Sequence, residues 1–264
     1  MNSSANEVVQ LSLVQIDEYG PWTVTPEPRR ETDLQSLQAT LYADFADFVG
    51  ERDGYAFYGR FDNMFAVTNG IDTETHTRYQ RRVRNRSPVT VSIGVGRAST
   101  PAEALGLASE QLQAVGSAQD ATRREVLAAA SNDVGDAPTE RVTVAHFDIV
   151  DATGSLTDRR NAVDADLAVK RATLELATYL REHHDSVAHF VGGDNVIAVC
   201  PSLDPTAFDA TVEHVRETTG IDLQVGIGRA ATAHEAGDEA KHALEVCRET
   251  GTRIQGVDGL AADD

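Results

Sequence analysis

The sequence predicts an α+β fold built from two tandem ferredoxin-like domains, each with the element order β-α-β-β-α-β. Three observations support this prediction: a long internal repeat, the same succession of short strands and long helices in each half, and a hairpin in each half whose turn carries Asp-Asn. A chain of 264 residues is long enough for two domains of this kind.

The internal repeat has a period of 132 residues. Segment 94–112 reads GVGRASTPAEALGLASEQL, and segment 226–244 reads GIGRAATAHEAGDEAKHAL. Three further pairs of positions match, the last of them at an offset of 131: Asp62/Asp194, Asn63/Asn195 and Asp17/Asp148. A period that is shared over so long a stretch is typical of a duplicated structural unit.

The domain boundaries follow from the repeat. We place the first domain at 1–118 and the second at 140–264. The stretch between them, 119–139, is predicted to be a linker. It holds a charged, Ala-rich helix near 119–131 and then a turn at 132–138, where Asn, Asp, Gly and Pro gather.

The elements follow the same order in both halves. A short apolar strand that ends in Asp is followed by a loop, a long helix, a hairpin, a second helix, a further strand and a final helix. The predicted strands are 9–17, 55–58, 64–67 and 89–95 in the first half, and 142–148, 187–190, 196–199 and 223–227 in the second. The apolar residues that share one face of the first long helix are Leu34, Leu37, Leu41, Phe45 and Phe48.

The charge of the chain excludes several functions. There are 42 acidic and 23 basic residues, a formal net charge of −19, and lysine occurs only as Lys170 and Lys241. Binding to nucleic acid phosphates or to a membrane surface needs basic patches, so we expect neither partner. Dispersed acids with scarce lysine are typical of a high-salt cytoplasm, where salt screens an acidic surface. An acidic patch for a basic partner is the alternative.

Apolar runs and cysteines point to a cytoplasmic protein. No run approaches the roughly 18–20 apolar residues of a membrane span, and the N-terminus lacks a basic segment followed by a hydrophobic one. The two cysteines, Cys200 and Cys247, are too few for a disulfide framework or a zinc site. We therefore expect reduced thiols.

Two carboxylates of the second half are candidates for a metal site. Asp148 ends a strand and Asp194 lies in a hairpin turn; their strands are neighbours in the predicted topology, so the side chains can converge. With the Ile149 carbonyl they offer the hard oxygen ligands that Mg²⁺ prefers and shares with substrate phosphates. Gly192 and Gly193 allow a bulky ligand close to the backbone. Singly, each Asp also fits an ordinary strand end or hairpin turn.

Phosphate contacts are expected beside these carboxylates. The polar loop 148–154, which includes Asp151, Thr153 and Gly154, leads from the strand into a helix, and its amides suit the binding of phosphates. Arg248 on the last helix can reach the same phosphates through two parallel hydrogen bonds. An exposed helix arginine without such a role is the alternative for Arg248.

The first half carries a different loop at 17–30. Its prolines remove amide donors, so it is not an equivalent phosphate site. Trp22 with Arg29 and Arg30 suits stacking on a base or binding of a triphosphate, and a rigid packing loop is the alternative. The other polar candidates in this half are Asp17, Asp62 and Asn63.

The second half resembles the palm-type domain of GGDEF diguanylate cyclases and nucleotidyl cyclases. The likeness lies in DI at 148–149, GGD at 192–194 and ALEVCRETG at 243–251. In those enzymes the Asp pair binds two divalent metals, and a basic residue at the place of Arg248 binds terminal phosphates. Asn195 stands where the cyclases have Glu, which disfavours cyclisation.

A closer resemblance, over nearly the full chain, is to archaeal GTP cyclohydrolase III. It is carried by VQIDEYGPWTVTPEPRRE at 14–31 and by the tandem motifs RFDN at 60–63 and GGDN at 192–195. Shorter matches are NGID at 69–72, RNR at 84–86 and GSAQD at 116–120.

This resemblance implies an activity. The family has tandem palm domains and opens the guanine imidazole ring of GTP with Mg²⁺. The product is 2-amino-5-formylamino-6-(5-phosphoribosylamino)pyrimidin-4(3H)-one, the β and γ phosphates are lost, and the reaction feeds riboflavin and deazaflavin (F420) synthesis. By this resemblance Asp148, Asp194 and Asn195 are catalytic, two or more Mg²⁺ ions bind, and K⁺ is an accessory cation. Because exposed faces of tandem palm domains commonly pair, we expect a homo-oligomer. A nucleotide cyclase, an NTP pyrophosphatase and a non-catalytic GTP sensor are the alternatives.

The acidic composition leads to a prediction about salt. We expect the free energy of unfolding to rise with KCl into the molar range, because screening reduces repulsion among surface carboxylates. Thermal unfolding followed by circular dichroism over a KCl series measures this dependence. Full stability in dilute buffer would contradict it.

Overall fold

The computed structural model describes residues 7–60, 62–132 and 139–256, without the side chain of Ser155. The chain divides into two compact units. The first unit comprises Met1–Ser99 with Glu103–Glu140, and the second comprises Thr100–Ala102 with Arg141–Asp264.

A largely antiparallel sheet forms the centre of the first unit. The elements from Glu7 to Glu140 are β1 (Glu7–Ile16), α1 (Tyr19–Val24), α2 (Glu31–Gly50), β2 (Tyr55–Tyr58), β3 (Asn63–Val67), α3 (Thr73–Arg86), β4 (Val91–Ala98), α4 (Pro101–Ala114), β5 (Leu127–Ser131) and β6 (Thr139–Glu140). The strand order is β2-β3-β1-β4-β5, and β6 pairs with β1. Strands β1 to β4 are antiparallel neighbours, whereas β5 runs parallel to β4.

The second unit repeats this plan. Its elements are β7 (Val142–Ile149), a π-helical turn (Thr153–Thr157), α5 (Ala162–His184), β8 (Val187–Gly192), β9 (Asn195–Cys200), α6 (Pro205–Thr219), β10 (Leu223–Ala230), α7 (Ala233–Thr250) and β11 (Ile254–Gln255). The strand order is β11-β10-β7-β9-β8. The α+β class and the β-α-β-β-α-β order predicted for each half are therefore confirmed.

The two faces of the second sheet are covered by different helices. Alternate residues of β7, among them Phe147, are buried in a core with apolar residues of α5 and α6 such as Leu176 and Phe208. The intervening residues, His146 and Asp148, point to the opposite face. That face carries α7, so the sequence alternation of β7 separates the core from the candidate site.

Close packing of α7 depends on two glycines of β10. A Cβ on Gly226 would lie 2.1 Å from the Ala240 carbonyl oxygen, and one on Gly228 would lie 2.1 Å from that of Ala236. In the first unit, Gly96 makes the same approach to α4. The repeated Gly-x-Gly-Arg motif therefore marks where a helix backbone lies directly on a strand.

The predicted helix near 119–131 is wrong. Residues 127–131 form β5, which pairs in parallel with β4, and the Ile93 amide donates to the Val126 carbonyl at 2.7 Å. The open edge of β4 offers hydrogen bonds that outweigh the helix propensity of the alanines. Before β5 the chain turns at Asp120, whose Oδ1 accepts from the Thr122 amide at 2.9 Å. Of the turn predicted at 132–138, all but Asn132 lies outside the described residues.

Within the described parts of the chain, no helix has both the length and the apolar character needed to cross a bilayer. Both cysteines, Cys200 and Cys247, are buried and unbridged, as the sequence predicts.

The packing of α7 on β10 predicts opposite effects for two glycine substitutions. Gly226→Ala should lower the free energy of unfolding by roughly 2 kcal/mol or more, because the new Cβ meets backbone atoms that cannot move aside. Gly237→Ala is the control. An added Cβ at Gly237 meets nothing within 4 Å, so this helix substitution should stabilise by about 0.5–1 kcal/mol. Denaturant unfolding in molar KCl compares the two, and equal effects would contradict the packing described.

Candidate functional site

Asp148 lies at the carboxyl end of β7 beside the last turn of α7. It is only 6 % exposed. Arg248 donates to Asp148 Oδ2 from Nη2 at 2.7 Å and from Nε at 3.2 Å. Hydrogen bonding to Asp148 is the main reason that the pKa of Arg248 is raised. Because both bonds end on Oδ2, the guanidinium leaves Oδ1 of Asp148 to other ligands.

Asp194 lies in the two-residue turn between β8 and β9. Gly192 pairs with Asn195 to close the hairpin, and Gly192 and Gly193 have φ angles of 122° and 64° that favour glycine. Asn195 Nδ2 donates to Asp194 Oδ1 at 3.2 Å. Burial raises the pKa of Asp194, and the negative charge of Asp148 raises it further. The structure therefore brings together the two carboxylates that the sequence singled out.

His146 belongs to this cluster, although the sequence reasoning did not select it. It lies two residues before Asp148 on β7, and its Nε2 is 2.8 Å from Asn195 Oδ1. Burial lowers the pKa of His146, which favours a neutral ring. The signal that could have found it is the period of two along a strand, which places His146 and Asp148 on one face.

A cavity of about 330 Å³ has Asp194 of the carboxylate pair in its lining. It is lined by Ala152, Thr153, Leu156, Thr157, Ala165, Asp166, Val169, Phe190, Gly193 and Asp194. Its walls combine apolar side chains with polar groups, as sites for small molecules do. Of the predicted site residues, Thr153, Gly193 and Asp194 lie in this lining.

Two backbone amides of the loop after β7 are engaged within the protein. Asp151 has a positive φ of 50°, and its Oδ1 accepts from the Gly154 amide at 3.2 Å. A Cβ on Gly154 would lie 2.5 Å from this carboxylate, so the Asp151 side chain would have to shift. The Val150 amide donates to the Asp222 carbonyl at 3.0 Å. The amides of Val150 and Gly154 are thus bonded within the protein rather than open to a phosphate.

The donor set around Asp148 fits a magnesium ion. Two neighbouring carboxylates and the Ile149 carbonyl are hard oxygen donors. Arg248 bonds to only one oxygen of the carboxylate pair, Asp148 Oδ2. In the described ranges, no cluster of three or more His, Cys, Asp or Glu side chains is placed to hold a metal ion. A Mg²⁺ ion held by Asp148, Asp194 and the Ile149 carbonyl would need further oxygen ligands from water or substrate, as is usual for Mg²⁺ in proteins.

The strand register shows that the predicted match of Asp17 with Asp148 is wrong. Ile16 lies opposite Val91 in the first unit, and Ile149 lies opposite Leu223 in the second. Because Val91 and Leu223 correspond in the repeat, Ile16 corresponds to Ile149. The counterpart of Asp148 is therefore Gln15. Residue identity misled the alignment here, since register is set by backbone hydrogen bonds.

The first unit has a neutral side chain at this position, held by a buried arginine. Gln15 Oε1 accepts from Arg123 Nη2 at 2.9 Å, and Arg123 is 3 % exposed. The hairpin turn keeps its Asp and Asn: Asn63 Nδ2 donates to Asp62 Oδ1 at 2.9 Å, and Arg60 lies 3.7 Å from Asp62. Phe61 of this turn lies outside the described residues. The first unit therefore lacks the carboxylate pair of the second.

Asp17 is buried and bound by groups of its own unit. It accepts from Ser92 Oγ at 2.6 Å, from Thr90 Oγ1 at 2.8 Å and from the Glu125 amide at 2.9 Å. These bonds tie the end of β1 to β4 and to the segment before β5. They account for Asp17 by structure alone.

The arginines of the 17–30 loop are engaged within the loop and its adjoining helix. The Arg29 guanidinium lies 3.9 Å from the centre of the Trp22 ring, and its Nη1 donates to the Trp22 and Thr25 carbonyls at 2.7 and 2.9 Å. Arg30 pairs with Asp33 at 3.0 Å. A cavity of about 220 Å³ is lined by Asp17, Glu18, Trp22, Arg84, Ser87, Pro88, Val89, Thr90 and Arg124. Arg29 and Arg30 are not among the residues that line it.

Paired carboxylates at strand ends, a guanidinium and an adjoining cavity define an enzyme-like site in a duplicated α+β fold. The sequence profile of the GTP cyclohydrolase III family matches residues 10–260. The chain therefore belongs to the GTP cyclohydrolase III family, and it is an enzyme of that family.

Relatives and a solved structure were also found. "GTP cyclohydrolase III 2" of Halobacterium salinarum is 54 % identical over 96 % of this chain and 100 % of that protein. GTP cyclohydrolase III of Methanococcus vannielii is 46 % identical over 94 % of this chain and 92 % of its own. The GGDEF domain of DgcB from Caulobacter crescentus, with its coiled coil, is similar at a TM-score of 0.38 and 16 % identity, over 44 % of this chain and 69 % of that one.

The neighbouring carboxylates predict that Asp194→Asn stabilises the metal-free protein. The raised pKa of Asp194 means that the native state disfavours its charge, so stability is lost as the pH rises through that pKa. The neutral amide keeps this stability at pH 7. We expect a gain of up to about 1 kcal/mol in EDTA, which is a rise of roughly 2–4 °C in Tm.

Asp62→Asn is the matched control. In the first unit Gln15 stands at the place of Asp148 and is uncharged, so this substitution relieves no like-charge repulsion. Calorimetry of both variants in EDTA and molar KCl provides the comparison. A destabilised Asp194→Asn protein, or an equal gain in Asp62→Asn, would contradict the electrostatic interpretation.

Proposed function

We propose that this enzyme is a Mg²⁺-dependent hydrolase that opens the guanine imidazole ring of GTP. The product is the formylaminopyrimidine ribonucleoside 5′-phosphate named above, and the β and γ phosphates are lost. The observation that carries this proposal is the Asp148–Asp194 pair, with Asp194 in the lining of a cavity of about 330 Å³, in a chain of the GTP cyclohydrolase III family.

The triphosphate is assigned to the carboxylate end of the site. Asp148, Asp194 and the Ile149 carbonyl would hold Mg²⁺, as two or more ions. Bound Mg²⁺ would neutralise phosphate charge and lower the pKa of a water molecule, which favours cleavage between the α and β phosphates. Arg248 supports this arrangement in two ways. It fixes Asp148 through Oδ2, and its side chain, which is 41 % exposed, can also meet a phosphate oxygen in place of its exposed partner Glu245.

The base is assigned to the adjoining cavity. Its apolar walls, such as Leu156 and Val169, suit the faces of a flat heterocycle, and Asp194 connects the cavity to the carboxylate pair. Asp166 presents a carboxylate in the lining, and a carboxylate accepts from the N1–H and 2-amino groups that distinguish guanine. Asp166 now accepts from Lys170 Nζ at 2.7 Å, so base binding would compete with this exposed pair.

A nucleotide cyclase is the alternative of the same fold, and Asn195 disfavours it. Its side chain is an amide that bonds to Asp194 and His146, so no carboxylate is present at this hairpin position to accept a proton from a ribose hydroxyl. An NTP pyrophosphatase would use the same phosphate site without opening the base. The identity of the product separates these reactions.

The wider setting is part of the proposal. We place the reaction at an early step of riboflavin and deazaflavin (F420) synthesis in the cytoplasm, with K⁺ as an accessory cation and a homo-oligomer as the working form. The net charge of −19 would repel the GTP polyanion in dilute buffer, so Mg²⁺ and high salt are both expected to favour binding.

Asp194→Ala is predicted to abolish formation of the ring-opened product, because one of two metal-binding carboxylates is lost. Mass spectrometry of GTP reactions with Mg²⁺ in molar KCl measures it. Asp209→Ala, at an exposed position of α6, is the control and should keep wild-type activity. Retained formylaminopyrimidine formation in Asp194→Ala would refute the site.

The wild-type product spectrum tests the activity itself. A cyclic nucleotide would show the cyclase, and GMP with an intact guanine would show the pyrophosphatase. Tight binding of GTP without turnover would show a sensor.

A further inference from the structure

We propose that His146 is a positioning residue for the metal-binding carboxylate Asp194, acting through the side-chain amide of Asn195. The proposal rests on the proposed function of this site. His146 is assigned no contact with substrate and no proton transfer; its part is to hold one hydrogen-bonded chain in a single orientation.

The direction of the chain follows from hydrogen-bond chemistry. A carboxylate only accepts, so the contact of 3.2 Å with Asp194 Oδ1 must be made by the Asn195 NH₂ group. The Asn195 Oδ1 atom then faces His146, at 2.8 Å from Nε2. This oxygen can only accept, so His146 Nε2 carries the proton and donates. His146 thereby fixes the orientation of Asn195, and Asn195 fixes that of Asp194.

Asp194 has a particular need of such support. It lies on a two-residue turn, it is half-buried, and its neighbour Asp148 bears the same charge. Arg248 bonds to Asp148, and the Asn195 amide offers partial positive charge to Asp194. If the amide turned over, Oδ1 would face the carboxylate and repel it. The hydrogen bond from His146 prevents this turn, and Asn195 then bonds to Oδ1 of Asp194.

The internal repeat provides a natural comparison. Leu13 lies opposite Phe65 in the first unit, and His146 lies opposite Ile197 in the second, so Leu13 is the counterpart of His146. The unit with the carboxylate pair has histidine, whereas the unit with Gln15 at the place of Asp148 has leucine. Asn63 still bonds to Asp62 at 2.9 Å beside Leu13. The hairpin therefore forms without the imidazole, and the histidine accompanies the paired site.

This comparison supplies the variants for a test. His146→Leu installs the residue of the first unit and should fold. His146→Gln keeps a donor close to the position of Nε2. Mn²⁺ alone is the probe, and free Mn²⁺ is followed by electron paramagnetic resonance in molar KCl. His234→Leu, at an exposed position of α7 paired with Asp238, is the control.

We expect His146→Leu to weaken Mn²⁺ binding about 10- to 100-fold, as is usual when a residue that orients a metal ligand is removed. The Mg²⁺ half-saturation for turnover should rise to match, with kcat lowered and KM for GTP at saturating Mg²⁺ nearly unchanged. His146→Gln should recover most of both losses, and His234→Leu should equal the wild type.

Two outcomes would overturn the proposal. Mn²⁺ affinity in His146→Leu equal to wild type would show that the chain does not position Asp194. Equal losses in His146→Leu and His146→Gln would show that a hydrogen-bond donor is not what His146 supplies. If wild-type protein binds Mn²⁺ but does not open GTP, the proposed function fails, while the comparison of Mn²⁺ affinities still decides the part of His146.

Discussion

The second unit depends on one electrostatic constraint: two like-charged carboxylates, Asp148 and Asp194, lie together at the carboxyl end of the central strand β7. Such a pair is unfavourable by itself, and its surroundings compensate it in part. Arg248 bonds to one carboxylate and Asn195 to the other, while burial and mutual repulsion keep the pKa of Asp194 raised. The remaining deficit of positive charge is what a divalent cation would supply.

The fold provides the geometry for this constraint. Register places Asp148 next to the β8–β9 turn, two glycines allow the sharp hairpin, and Gly226 lets α7 lie close enough for Arg248 to reach β7. The first unit uses the same strands and the same close-packed helix without the same charges. Gln15 replaces the carboxylate and Arg123 is buried against it. Duplication has thus preserved the scaffold in both units and the carboxylate pair in one.

Much of this architecture could be predicted from the sequence. The long internal repeat, the same succession of short strands and long helices in each half, and the Asp-Asn turns were sufficient for the fold class. The Asp148–Asp194 convergence also followed, because the topology makes their strands neighbours. The helix near 119–131 was wrong, since the open edge of β4 is a tertiary feature that composition does not show.

Two features of the site could not be predicted from the sequence and became visible only in the structure. The correspondence of Gln15 with Asp148 depends on hydrogen-bond register, which identical aspartates at nearby positions concealed. His146 reads as an ordinary strand histidine until its contact with Asn195 is seen. Likewise, Arg29 looked available for a ligand, whereas its guanidinium stacks on Trp22 and bonds to nearby carbonyls. The strand register and the contact of His146 with Asn195 join residues that are distant in sequence, which local patterns do not encode. The partners of Arg29 lie only four and seven residues away, but they depend on the path of the loop.

We propose that the carboxylate pair of the second unit, and not the corresponding residues of the first, binds the divalent cation. Anomalous diffraction from crystals grown with Mn²⁺ and GTP in high KCl tests this most directly. We expect an anomalous peak within coordination distance of both Asp148 and Asp194, and none beside Gln15 and Asp62. A peak in the first unit, or none between the two carboxylates of the second, would contradict it.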